Sequence, residues 1–365
     1  MINADVKVSV IIPIFNAADY LRPALDSVVS QTLREIEVIC VDDGSTDNSL
    51  EIIKEYQQND ERVRIVTETN AGPALARNNG IRRARGEYIA FLDDDDFYEP
   101  QFLEVLYNRS KEHDLDIAIS NYDIFNMRHS SFQKAAAEEH EEIFEEGRVT
   151  SKNEHPDYIF SSTNGSAWNK LFRRSFIEDK GLQFLPDVKM YEDVYFVVTA
   201  LSLAERIEKI DSVLMHHRVH NDQTRAKMFH KYYSQVPVIY VKIKEFLMHS
   251  GMFSPLFSSY LNMTATRCFK IYHVLGSDAK ASFWNMLHSE YSGLMCWHGK
   301  ALSDFESPEI CEFVANVEMF DHDLYKKRLS RGLTLRLENL KNSKGGKRRG
   351  LTRLLVRLFS RRKKD

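Results

Sequence analysis

Little in this 365-residue chain would staple it covalently or hold it in lipid. Its four cysteines, Cys40, Cys268, Cys296 and Cys311, stand far apart with no Cys-x-x-Cys pair, which excludes a disulfide framework and a zinc knuckle and fits a reducing cytoplasm. Nowhere are there roughly 18 consecutive apolar residues, and the opening MINADVKVSV has neither a basic n-region nor a long apolar h-region. The expectation is a cytoplasmic protein that is neither secreted nor membrane-spanning. What is present is ordinary for a globular chain, 43% hydrophobic and 28% charged, with room for one large α/β domain or two modest ones. The formal charge of −4 hides an asymmetry: residues 341–365 hold eleven Lys or Arg against one Asp, which leaves −14 on the remainder.

From the N-terminus, apolar runs alternate with helical patterns. VKVSVIIPIF is followed by a helical stretch over 20–30, EVICVDD by a helix from Ser49, VRIV at 63 by a helix over 74–84, and YIAFL by a helix from Pro100 and the run DIAIS at 116–120. This βαβ rhythm predicts an α/β domain over residues 1–230, with a Rossmann-like, mostly parallel central sheet flanked by helices. After 120 the rhythm breaks. The Ala/Glu-rich segment 135–147 reads as a solvated helix or loop, and VLMHHRVH at 213–220 as a strand leaving into a loop. Residues 231–340 read as a helical C-terminal domain rich in Phe, Tyr, Met and His without an internal repeat, the aromatic and Met residues serving helix packing.

Open parallel sheets bind ligands beyond the carboxyl ends of their strands, and three of those ends read IPIFN, VDDGSTD and LDDDD. The last poses a physical problem. Two carboxylates about 6 Å apart at an effective dielectric near 20 repel by roughly 3 kcal/mol, so Asp93 to Asp96 need positive charge at a fixed strand end. Mg²⁺ or Mn²⁺ with a substrate diphosphate would supply it; a solvated acidic turn is the plain alternative. A calcium loop starting at Asp93 fails, because Phe97 and Tyr98 stand where a ligand and a glycine belong. In VDDGSTDNS, Gly44 permits a left-handed turn, Asn48 with Glu51 forms a capping box, and a carboxylate is placed either to cap and turn or to accept from a nucleobase N–H. NAGPALARNNG places Arg77 near a helix start, in reach of nucleotide or phosphate.

VSVIIPIFN, VDDGSTD, NAGPALARNNG and FLDDDD, in this order, closely resemble the family 2 glycosyltransferases of GT-A fold, of the branch that builds bacterial polysaccharides and cell-envelope glycans; the resemblance covers about residues 6–225 and includes YEDVYF and NGSAWNKLF. It implies a GT-A domain, a divalent metal, an activated sugar donor, expected to be a UDP-sugar, and inversion at the anomeric carbon. By matched position, Pro13 and Phe15 line the nucleoside pocket, Asp43 reads the base, Asn70 and Arg77 hold the nucleotide, Asp93 faces the ribose and Asp95 holds the metal. Asp94 fills a variable slot and Asp96 gives structural support. Asp193 of YEDVYF is the general base, and Glu192, Trp168 and Lys170 lie on the acceptor side. One departure is HHR, where relatives carry aromatic residues before the Arg and this chain has His217.

The chemistry implied needs a base on the acceptor hydroxyl, for which Asp193 is suited, and a cation such as Arg218 beside the leaving diphosphate. A helix-start role in the macrodipole is the alternative for Asp193. Trp168 reads equally as core or as a platform for a sugar ring. His216, His217 and His220 lack the partners of a zinc site and read as polar lining of a donor lid. A nucleotidyltransferase would need a Gly/Arg-rich triphosphate loop after the first strand, which IPIFNAADYL does not supply; a non-catalytic carbohydrate-binding protein of the same fold is the other alternative. In the tail, Leu351, Leu354, Leu355, Leu358 and Phe359 fall at helical spacing opposite Arg353, Arg357 and Arg361. That pattern predicts an amphipathic helix on the anionic inner face of a membrane, where a lipid-linked or glycan acceptor would be met, and no nucleic-acid partner.

Overall fold

A computed structural model describes residues 6–220 and 231–330. Contacts divide the chain into two compact units, Met1–Ala226 and Lys227–Asp365. The first unit is built on one nine-stranded sheet: β1 (Val8–Ile14), β2 (Ile36–Asp42), β3 (Val63–Thr67), β4 (Tyr88–Phe91), β5 (Phe97–Tyr98), β6 (Ile117–Asn126), β7 (Ser131–Lys134), β8 (Lys170–Arg173) and β9 (Ile207–Val219). The strand order is β3-β2-β1-β4-β8-β6-β9-β5, with β7 on β6. β3, β2, β1 and β4 run parallel. β8 is antiparallel to both of its neighbours, and β6 and β9 are parallel to each other.

The helices are α1 (Leu21–Val29), α2 (Ser49–Asn59), α3 (Pro73–Arg83), α4 (Phe102–Glu112), α5 (Arg174–Asp179) and α6 (Glu192–Leu203). Every residue of β1 and β2 is buried, the mostly apolar run of a strand covered on both faces, with Ser9 donating to Glu37 at 2.7 Å. Val8, Val10 and Ile12 join a core with Leu21, Leu25, Ile53, Leu103 and Leu106 of α1, α2 and α4. The alternate residues point the other way, as strand parity requires. There Gly80 brings α3 so close to β1 that a Cβ would meet Ile11 at 2.4 Å, and Phe91 packs on Phe184 and Phe196.

Two local expectations give way. β6 does not stop at 120 but runs to Asn126 and turns into β7, because β9 pairs with it along its whole length and β7 with its last four residues. The helix α2 is not closed by a capping box: the Asn48 side chain makes no cap bond, and Asp47 accepts the Ser49 N–H at 2.9 Å instead. The segment after β7 is loop with a short 3₁₀ turn, Glu141–Ile143, and it buries Ile143 and Phe144.

The second unit is helical, with helices Gln235–His249, Phe257–Val274, Ser277–Met286, Pro308–Met319 and His322–Ser330. Trp284 and Trp297 are fully buried in it, so its aromatic residues pack helices. Among the described residues no helix is long and apolar enough to cross a membrane. The basic tail 341–365 and residues 331–340 lie outside the described residues.

Candidate active site

Each carboxylate that follows β4 has its own partner. Arg77 Nη2 lies 2.6 Å from Asp93. Asp94 accepts the Phe15 N–H at 3.1 Å, and Asp95 Oδ2 is 3.0 Å from His220 Nε2. Asp96, fully buried, accepts the Arg218 main-chain N–H at 2.8 Å and faces His217 Nδ1 at 3.0 Å. The repulsion is offset only in part. Burial, then the neighbouring carboxylates, raises Asp94 well above the carboxylate range and raises Asp95 too; burial pushes Asp96 to about 7 against the pull of His217. Burial opposes charging of His217, but Asp96 outweighs it and raises the imidazole.

The cluster fits a divalent cation. Asp93, Asp95 and Asp96 each offer an oxygen, and these oxygens lie within 4.8 Å of one another. A hard, all-oxygen donor set in which burial, and after it neighbouring carboxylates, push Asp95 and Asp96 toward protonation is relieved by Mg²⁺ or Mn²⁺. His220, stacked on Tyr20 at 3.8 Å, stands beside the set. Sequence reasoning missed this pairing of His217 and His220 with the carboxylates. No local pattern signals it, because the partners stand 121 and 125 residues apart. Arg218, expected beside a leaving diphosphate, is 3% exposed; its guanidinium lies over Phe97 at 5.2 Å and donates to the Tyr20 carbonyl at 3.3 Å.

Arg77 joins this cluster to a second one. It is 4% exposed, and besides Asp93 its Nη1 lies 2.8 Å from Glu192 and 3.2 Å from Asp193. A guanidinium committed to three carboxylates in this way positions them; the expected grip on the nucleotide is not what its geometry provides. Glu192 and Asp193 form the first turn of α6, entered through Tyr191 at φ 64°. Upstream of that entry, Asn78 of α3 exchanges two 2.8 Å bonds with the Phe184 main chain. Burial raises the Asp193 carboxyl to about 7, against the lowering effect of Arg77. A carboxyl poised there is suited to take a proton near neutrality.

On the β1 and β2 side, Phe15 is 44% exposed and Pro13 is buried beneath it. Asp43, expected at a nucleobase, accepts the Ala71 and Gly72 N–H groups at 2.7 and 2.8 Å, and so fixes the turn in which Asn70 stands exposed. Gly44, at φ 76°, is required there because a Cβ would meet the Asn70 nitrogen at 3.1 Å.

Trp168 and Lys170, expected on the acceptor side, are both buried. Trp168 is 6% exposed, its ring stacked on His217 at 5.7 Å and edge-on to Tyr122 at 4.7 Å, so of its two readings the packing selects core. Lys170 is fully buried and donates to Asn164, Ser166 and Asn169 oxygens at 2.8 to 3.1 Å. It staples the loop before β8. Glu192, 8% exposed, is taken up by Arg77.

A family model described as Glycosyl transferase family 2 matches residues 9–180. The chain is 34% identical over 218 residues to Glycosyltransferase GlyA of Streptococcus pneumoniae serotype 4, covering 59% of this chain and 31% of that protein. It is also 34% identical over 205 residues to the Poly(ribitol-phosphate) beta-glucosyltransferase of Bacillus spizizenii, covering 55% of this chain and 30% of that protein. The match thus spans about a third of each of these relatives. Among solved structures, the fold superposes on S. aureus TarS 1-349 in complex with UDP-GlcNAc with a TM-score of 0.65 at 21% identity, over 89% of this chain and 92% of that one.

Proposed function

We propose, from the match of residues 9–180 to the glycosyl transferase family 2 model and from the GT-A fold, an inverting sugar transfer: from a nucleoside diphosphate donor, a UDP-sugar, to a hydroxyl of a glycan or lipid-linked acceptor in cell-surface polysaccharide synthesis. One observation carries the reading. Arg77 holds Asp93 of the acidic cluster and Asp193 of the α6 turn in one ion-pair network, so a donor-side carboxylate and a base raised to about 7 face one reaction centre. A carbohydrate-binding protein without turnover has no use for a carboxyl poised in that way.

The acceptor hydroxyl gives its proton to Asp193 as its oxygen bonds to C1; the bond from C1 to the diphosphate oxygen breaks, and the electron pair leaves with the nucleoside diphosphate. Backside attack inverts the carbon and needs no covalent enzyme intermediate. Asp93 and Asp95, with His220 beside them, would hold Mg²⁺ or Mn²⁺. A cation there supplies charge to the departing diphosphate. Phe15, exposed at the end of β1, offers a face to the nucleobase, and the turn set by Asp43 offers main-chain groups around it. The TarS complexes with UDP and UDP-GlcNAc support the donor class, and the poly(ribitol-phosphate) glucosyltransferase supports the setting.

Asp95→Ala is expected to weaken metal-dependent UDP binding and turnover together, by on the order of a hundredfold, the scale of several kcal/mol that a metal contributes. Isothermal titration of UDP with and without Mn²⁺, beside the rate, checks it. Full activity in excess chelator removes the metal from the reading.

The tail 341–365 carries the location in this reading, as an amphipathic anchor on the inner face of the cell membrane. Each Lys or Arg near an anionic leaflet contributes about 1 kcal/mol and each buried Leu or Phe roughly 1.5 to 3 kcal/mol, before ordering costs. Deleting 345–365 is expected to release the protein from anionic liposomes in a flotation assay while donor hydrolysis persists. Equal flotation of the truncated and full chains refutes the anchor.

A further inference from the structure

We propose that Lys170 is a positioning residue for sugar transfer, the buried ammonium that fixes segment 164–169 between the first turn of α6 and the acidic cluster; the assignment rests on the transferase reading of this unit. Lys170 opens β8, which runs antiparallel to β4 with Leu171 opposite Ala90. It therefore stands at the carboxyl end of β4, where Asp93 to Asp96 follow. β6 holds the same end from the other side: Ile119 pairs with Lys170, and Asn169 donates to the Ser120 carbonyl at 2.7 Å and accepts the Ser120 N–H at 2.9 Å. The ammonium reaches the Asn164 carbonyl at 3.1 Å, and the Asn164 Oδ1, the Ser166 carbonyl and the Asn169 Oδ1 at 2.8 to 2.9 Å. These four acceptors are neutral. Burying a charge against neutral oxygens is costly, and a methionine of like volume would close a loop whose only task was to pack. The ammonium adds direction, because its donors fix oxygens of three loop residues at once.

Two consecutive residues of that segment meet the two halves of the site. Ala167, 1% exposed, donates its N–H to the Asp193 carboxyl. Trp168 lies parallel to His217, the ring planes 3° apart, and His217 Nδ1 stands 3.0 Å from Asp96. A displaced segment therefore moves the base and the cluster's partner together. The groups that face Asp193 divide by sign: burial raises it, Arg77 lowers it, Glu192 and Asp93 raise it, and the Ala167 N–H lowers it. Arg77 holds the carboxyl from α3, and the Ala167 N–H holds it from the loop that Lys170 closes.

The test follows the Asp193 carboxyl by carbon NMR in the full chain labelled at its aspartate carboxyls, the signal assigned by its absence in Asp193→Asn. Lys170→Met keeps the stem and removes the donors. It is expected to move the Asp193 titration upward by about one pH unit, the scale of one hydrogen bond to a carboxylate, because the displaced N–H had favoured the charged form. UDP affinity in Mn²⁺ is expected to change by less than about twofold. Asn164→Ala withdraws a side-chain acceptor at a half-buried position; it is expected to repeat the upward movement at wild-type thermal unfolding, and it decides the matter where Lys170→Met does not fold. A folded Lys170→Met that unfolds at lower temperature but titrates as the wild type reduces Lys170 to packing and overturns the proposal, as does an unmoved titration in Asn164→Ala. A parallel loss of UDP affinity assigns Lys170 to the donor and overturns it too. A wild-type chain that binds no UDP overturns the transferase reading, and the role in transfer with it, even where the titration moves.

Discussion

Asp193→Asn is expected to lower sugar transfer by about 10²- to 10⁴-fold, the range supplied by a positioned general base, with UDP affinity nearly unchanged. Asn keeps the shape and the hydrogen-bonding reach of the side chain, but it cannot accept a proton from the acceptor hydroxyl. The residue belongs to the first turn of α6 and not to the end of β1, where the nucleoside is placed, so donor binding has no reason to follow. The wild-type rate should also carry the titration of this carboxyl. Burial raises it to about 7; the base acts only when deprotonated, so transfer rises as pH increases through that value. A divalent cation near Asp93 favours the carboxylate and moves the inflection lower. In the Asn variant the residual rate should lose that rise. Comparable losses of UDP affinity and transfer, or a pH profile untouched by the substitution, would falsify the assignment.

Arg77→Met should be the most damaging single change to the first unit. Methionine keeps the packing against Phe184, whose ring lies 5.3 Å from the guanidinium, but removes the cation shared by Asp93, Glu192 and Asp193. Breaking a buried ion pair by deleting one partner costs about 3 to 5 kcal/mol; at about 2 to 4 °C per kcal/mol for a unit of this size, the Tm falls by on the order of 10 °C. Activity falls with it, and what remains should show an inflection displaced to higher pH, because Arg77 is the group that lowers Asp193. Arg77→Lys rescues little, since an ammonium cannot fork between two clusters. An unchanged Tm and pH profile, with UDP affinity alone reduced, would return Arg77 to the nucleotide.

The sequence by itself determined the sheet's first half and the kind of chemistry at its edge. VSVIIPI, IEVICVD and YIAF are apolar apart from Ser9, Glu37 and Asp42 because both faces of β1, β2 and β4 are covered, and such runs are legible without coordinates. Four adjacent aspartates at a strand end likewise announced a need for positive charge, since like charges repel wherever the chain goes. Which cations answer that need was decided only by the tertiary structure. Arg77 reaches Glu192 across 115 residues, and His217 and His220 reach Asp96 and Asp95 across 121 and 125; no local pattern encodes contacts at such separation. The same holds for the residues that matched motifs but lie inside. Lys170 reads as a charge for a ligand, yet it satisfies its ammonium on the loop it closes, and Arg218 is buried over the Phe97 ring with its guanidinium donating to the Tyr20 carbonyl. Residue type and spacing specify what chemistry is present; which groups are buried, paired and aimed at one another follows from the packing of segments far apart in the chain.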